Sequence, residues 1–133
     1  MGLDATLEVI TPNGSELVFE FSKGASVIHH LIVSVVSKNN EGLRKIILER
    51  NECKFNLEQA FAIQDALGDL CSNGVNKEYV LDQLGLEGKM REYTSNIESY
   101  SKNFSDVLIE MFENVYLGNL DIMFIYFEYS FSS

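Results

Sequence analysis

The hydrophobic repeat of this chain changes period near residue 25, and that change limits the fold more than any other feature. Residues 5–11 and 16–22 alternate: Leu7 and Val9 flank Glu8, and Leu17, Phe19 and Phe21 are separated by Val18 and Glu20. A period of two marks strands with one buried face. Pro12-Asn13-Gly14-Ser15 lies between the two runs. Proline presets a turn φ, and Asn and Gly accept the positive φ that turns demand. The segment therefore reads as a β-hairpin with Leu17, Phe19 and Phe21 on the core side. From Val27 the spacing becomes helical, through Ile28, Leu31, Ile32, Val35 and Val36. Ser26 reads as the N-cap, and Asn39-Asn40 as the end. The many β-branched residues lower helix propensity, so burial has to hold this helix.

Leu43, Ile46 and Ile47 fit a short helix, with a strand over 45–49 as the alternative. Asn56 and Gln59 form a capping-box pair. They open a helix whose stripe is Leu57, Ala60, Phe61, Leu67, Leu70 and Cys71, closed by Gly74 as C′ glycine. A short helix is expected over 76–84, stopped by Gly85. Leu86, Tyr93, Tyr100 and Val107 step by seven, as do Met90, Ile97, Phe104 and Met111. That is the a/d spacing of one narrow seam. The Ser and Asn density over 94–105 predicts a break near Lys102-Asn103, and Gly118-Asn119 closes the segment. The apolar tail from Leu120 to Phe131 fits a strand buried on both faces that joins the hairpin. Two strands, then helices, then a strand predict an α+β fold. The expected form is a small antiparallel sheet, N-terminal hairpin plus C-terminal strand, packed with several helices. At 133 residues the chain reads as one domain over 1–133.

Charge bears on partners. The net charge is −10, from 20 acidic and 10 basic residues. Phosphate neutralisation needs clustered bases. The local basic group, Arg44, Lys45, Arg50 and Lys54, is interrupted by Glu41, Glu49 and Glu52. Direct nucleic-acid binding and an anionic membrane surface are both disfavoured. A basic protein partner is favoured, because opposite fields speed encounter. Residues 61–133 carry most of the excess, and no base follows Lys102. Either this charge keeps the protein dissolved or it forms a binding face. The N-terminus lacks the basic and apolar regions of a secretory signal, and no apolar run reaches the length of a membrane span. The cytosol is the expected compartment, with Cys53 and Cys71 reduced.

The candidate chemistry is sparse. His29 and His30 are neighbours, so on a helix they point about 100° apart and chelate one metal poorly. No other cluster has metal-ligand spacing. No nucleophile elbow or phosphate loop is present. Neither cofactor nor metal is expected, and no residue stands out as catalytic. Asp65 and Asp69 share a helix face, and Asp106, Glu110 and Glu113 fall at i, i+4 and i+7. The latter three form an acidic ridge with no Lys or Arg three or four residues from Glu110 or Glu113. Such repulsion costs a few tenths of a kcal/mol per pair, and a cationic partner would relieve it. Tyr100 and Tyr116 could supply aromatic anchors for the same interface.

The opening residues Met1, Gly2, Leu3 and Leu7, then Phe21, Ser22, Lys23, Gly24, Ser26 and Val27, resemble the first third of the cloacin-type colicin immunity proteins. The likeness spans about 30 residues. It implies a small protein that binds and neutralises a bacterial toxin, although that family's toxin-binding residues do not carry over. Small phage-associated proteins also begin Met-Gly-Leu-Asp and carry an Ile-His pair like Ile28-His29. The expectation is an immunity protein that blocks a cognate toxin, a nuclease, through an acidic surface. The alternatives are a phage anti-defence protein, either a nucleic-acid mimic or a ligand sequesterer, and a small enzyme using His29 or His30.

Overall fold

The structure, a computed structural model, describes residues 4–23, 25–71 and 94–132. Strands β1 (Asp4–Thr11) and β2 (Gly14–Phe21) form the hairpin. Helices α1 (Ala25–Val36) and α2 (Glu41–Arg50) follow, then strand β3 (Glu52–Asn56) and helix α3 (Leu57–Cys71). Helix α4 (Thr94–Tyr116), a 3-10 turn (Ile122–Phe124) and strand β4 (Tyr126–Ser132) complete the described elements. The sheet is antiparallel throughout, in the order β2-β1-β4-β3. The α+β expectation is met, with β4 paired to β1 as foreseen.

Three strand readings need correction. First, β3 is a fourth strand that the sequence reading left out. It has only five residues, too few for alternation to separate it from a linker. Second, Leu17 does not face the core. The register slips between Leu7 and Glu8, so that Leu7 pairs with Phe19 but Glu8 with Leu17. Val18 is the extra residue, and it is buried while Leu17 is 49% exposed. A bulge of this kind exchanges the two faces of the strand beyond it. Third, the C-terminal run is not a strand from Leu120 onward. Ile122, Met123 and Phe124 are 54%, 84% and 62% exposed, and pairing begins only at Tyr126.

One sheet face carries Leu7, Val9, Phe19, Phe21, Phe127 and Tyr129, all buried. Helix α3 packs against both α1 and α4, and α4 also lies on β2. Phe104 of α4 meets Phe127 edge-on at 5.8 Å and Phe19 at 6.0 Å. Phe55 of β3 stacks on Phe127 at 5.3 Å. Each such side chain contributes roughly 1.5–3 kcal/mol on burial. In α1, Val27, Ile28, Leu31, Ile32, Val33 and Val36 are buried, so packing offsets its weak helix propensity.

Caps set the helix boundaries. The Asn56 side chain accepts from Gln59 N–H at 2.9 Å, and Gln59 Oε1 accepts from Asn56 N–H at 3.0 Å. That is the reciprocal capping box expected at the start of α3. Asn40 both follows α1 and caps α2, accepting from Leu43 N–H at 3.0 Å. Residues 45–49 are helical, and Asn51 ends α2 in a left-handed conformation with φ 61°. Helix α1 begins at Ala25, so Ser26 lies inside its first turn and is not the cap. In α3 the core stripe uses Ile63, while Phe61 is 39% exposed. Helix α4 continues through Lys102-Asn103 without the expected break, because Ile97, Ser101, Phe104 and Leu108 are all buried along its core face. The expectations at Gly74, 76–84, Gly85, Leu86, Met90 and Tyr93 lie outside the described residues.

Candidate functional site

Helix α4 has three faces with different chemistry. Ile97, Phe104, Leu108 and Met111 form the buried face. With 3.6 residues per turn, Asp106, Glu110 and Glu113 fall nearly opposite, and all three are exposed. Between these faces lies a flank of Ile109, Phe112 and Tyr116, spaced i, i+3 and i+7 on one strip. They are 55%, 58% and 83% exposed, and Leu117 beyond them is 68% exposed. The acidic ridge thus runs beside an uncovered apolar strip. The sequence reading saw the ridge and Tyr116 but not the strip, because an apolar residue at 109 or 112 fits a helix seam equally well.

The end of α4 is closed by paired backbone bonds. Gly118 N–H donates to Val115 O at 3.1 Å, and Asn119 N–H to Asn114 O at 2.9 Å. This is a Schellman motif with glycine at the left-handed position, φ 77°. The turn that follows is also bonded: Asp121 accepts Met123 N–H on its carboxylate at 3.0 Å and Phe124 N–H on its carbonyl at 3.0 Å. Ile122, Met123 and Phe124 are therefore presented to solvent by a closed turn within eight residues of Tyr116.

The other sequence candidates are dispersed. Asp65 is exposed on α3, and Asp69 is half-buried four residues on. Helix α3 is joined to α4 by a Gln64–Ser101 hydrogen bond of 3.1 Å, so both carboxylates lie on the helix next to the ridge, not on it. Tyr100 is half-buried and stacks on Phe19 at 5.5 Å. Burial raises its pKa, while a hydrogen bond to the Ser22 backbone works the other way. Its ring packs the hairpin, whereas Tyr116 stands free on the surface.

A second acidic area was missed. On the sheet face opposite the core, Glu8 pairs with Glu128, Glu20 with Thr6, and Glu52 with Ser130. Charges from both halves of the chain meet there, which sequence position alone cannot reveal. Lys54 answers Glu128 across the strands at 3.5 Å. It also lies 5.4 Å from the Tyr126 ring centroid. Among the described residues this is the ion pair found, and the ridge on α4 has no counterpart to it.

His29 is packed against the sheet. His29 Nδ1 lies 2.6 Å from the Tyr129 hydroxyl, and its ring sits 4.1 Å from that of Phe131. Burial, then the charges of His30 and Arg44, lower its pKa to about 4. His30 is lowered as well, by burial and then by Arg44. Cys53 is pushed up to about 12 by burial and then by Glu52, so it is a thiol at neutral pH and a poor nucleophile. Among the described residues no group of His, Cys, Asp and Glu could hold a metal ion, and no helix is long and apolar enough to cross a membrane.

Several clefts border the sheet. One, of about 600 Å³, is lined by Asp4, Glu20, Tyr100 and Phe131 among others. A second, of about 580 Å³, lies between α2 and the sheet, with Arg50, Lys54, Glu8 and Glu128 on its walls. Neither of these two includes a histidine.

Comparison with protein-family models, curated proteins and solved structures finds no match to this chain. The functional reading therefore rests on geometry and charge. The arrangement on α4 can bind: its carboxylates supply long-range attraction, and its apolar strip supplies area to desolvate.

Proposed function

We propose that this protein is an immunity protein that binds a cognate bacterial toxin in the cytoplasm and blocks it stoichiometrically, without covalent chemistry. The toxin is a basic domain, best read as a nuclease, because an enzyme that grips phosphates must carry a cationic cleft. The observation that carries this reading is the ridge of Asp106, Glu110 and Glu113, unanswered by any base after Lys102 and set beside an exposed apolar strip. Surface carboxylates that serve only solubility need no such neighbour. The likeness of the N-terminal 30 residues to colicin immunity proteins points the same way.

The test is protection of growth. Tagged protein is used to capture its partner from the native host, and the partner is then expressed alone and together with this chain. Expected is a captured protein of high isoelectric point that arrests growth alone and is harmless when co-expressed. Glu110→Lys with Glu113→Lys should weaken that protection. A captured protein that is acidic, or toxicity that co-expression leaves unchanged, would overturn the proposal.

A further inference from the structure

We infer that the strip of Ile109, Phe112 and Tyr116, continued by Leu117 and the Ile122–Phe124 turn, is the contact core for one kind of partner: a protein surface with an apolar patch edged by lysine and arginine. This deepens the preceding reading and rests on it for the sign of the partner's charge. Seven large apolar side chains here are each more than half exposed. Aromatic side chains alone present roughly 150–250 Å² each, so the uncovered area is on the order of several hundred Å². Apolar patches of that size on a soluble protein mark sites of association, whereas single exposed apolar residues do not. The backbone bonds at Gly118, Asn119 and Asp121 hold the patch in a fixed shape. Binding therefore carries little ordering cost.

Charge selects the occupant. Asp106, Glu110 and Glu113 lie beside the strip on α4, Asp121 caps the 122–124 turn, and no base occurs beyond Lys102. A second copy docking patch to patch would bring like charges together. Docking of the patch on the basic group of another copy is also disfavoured, since Glu41, Glu49 and Glu52 interrupt Arg44, Lys45, Arg50 and Lys54. An apolar surface rimmed with unopposed cations fits both parts of the site. The apolar centre supplies the affinity, and the charged rim supplies encounter rate and partner choice.

The experiment uses the whole chain, ¹⁵N-labelled, with two probes: an amphipathic helical peptide of leucine and lysine, and poly-L-lysine. Expected is saturable binding of the amphipathic peptide, with amide shift changes centred on residues 105–124. The double substitution Phe112→Ser with Tyr116→Ser should weaken it at least tenfold. Poly-L-lysine should bind wild type and variant alike, more weakly, and be released by salt. Both substituted side chains are exposed, so the fold should persist, and an unchanged spectrum away from α4 checks this. Equal binding of the peptide to the variant would overturn the inference. So would shift changes centred on Glu8, Glu20 and Glu128, or a concentration-dependent dimer that Phe112→Ser abolishes. The peptide assay reads the surface and the growth assay reads the biology. Peptide binding without growth protection would therefore remove the immunity reading alone, and protection that survives the double substitution would remove this one alone.

Discussion

His29 shows how a single environment decides what a residue does. On a wet surface it would titrate near neutrality, yet here it is pressed against Phe131 and bonded to Tyr129. With a folded pKa of about 4 against 6.5 when unfolded, the unfolded chain takes up the proton first. Stability from this residue is fully present above pH 6.5 and is lost as pH falls towards 4. Denaturant titrations at pH 7 and pH 4.5 should show a larger loss of stability for wild type than for His29→Gln. Equal losses would place the imidazole in water. Cys53 is held as a thiol by the same burial. In a Cys71→Ser background it should react with iodoacetamide at pH 8 far more slowly than a free cysteine, and should match one only after unfolding. In the sequence, His29 is visible as a candidate for chemistry. Its neutralisation is not, because Tyr129 and Phe131 lie about 100 residues away from it along the chain.

Among elements, those with strong local signals were read correctly. The capping box at Asn56 and Gln59, the apolar face of α1 and the hairpin turn are local facts, and the structure keeps each of them. The misreadings arise where tertiary contacts overrule local pattern. The bulge at Val18 exchanges the faces of β2, so an alternation that seemed to bury Leu17 buries Val18 instead. Helix α4 survives its Ser and Asn density because Phe104 locks against Phe19 and Phe127. Phe104→Ala should therefore cost about 3–5 kcal/mol, measured by urea unfolding; a loss below about 1 kcal/mol would mean that α4 is held by other contacts. At its end, Gly118→Ala would put a Cβ into a left-handed conformation. A cost of about 1–2 kcal/mol is expected, despite open space around the new methyl. The site was half legible. The ridge is a periodicity and can be read from spacing, whereas the exposure of Ile109 and Phe112 depends on which flank of α4 is covered, and that of the 122–124 turn on where the sheet begins. An apolar run announces burial by default, and only the start of pairing at Tyr126 shows that its first half is outside.

Among the described residues, two groups of carboxylates have different surroundings. One group lies on the sheet face opposite the core, partly answered by Lys54. The other lies on α4, unanswered and beside apolar area. The first suits a solvated face. The second is costly to leave exposed and useful to cover, which is the physical basis for the proposal that the protein blocks a cationic partner. The most direct measurement is the association rate constant with that purified partner as ionic strength is raised. For wild type, the rate should fall at least about tenfold from low to physiological salt, as steered encounters do. For Glu110→Lys with Glu113→Lys, it should start lower and vary little with salt. Identical rates and identical salt dependence for the two proteins would contradict a binding role for the ridge on α4.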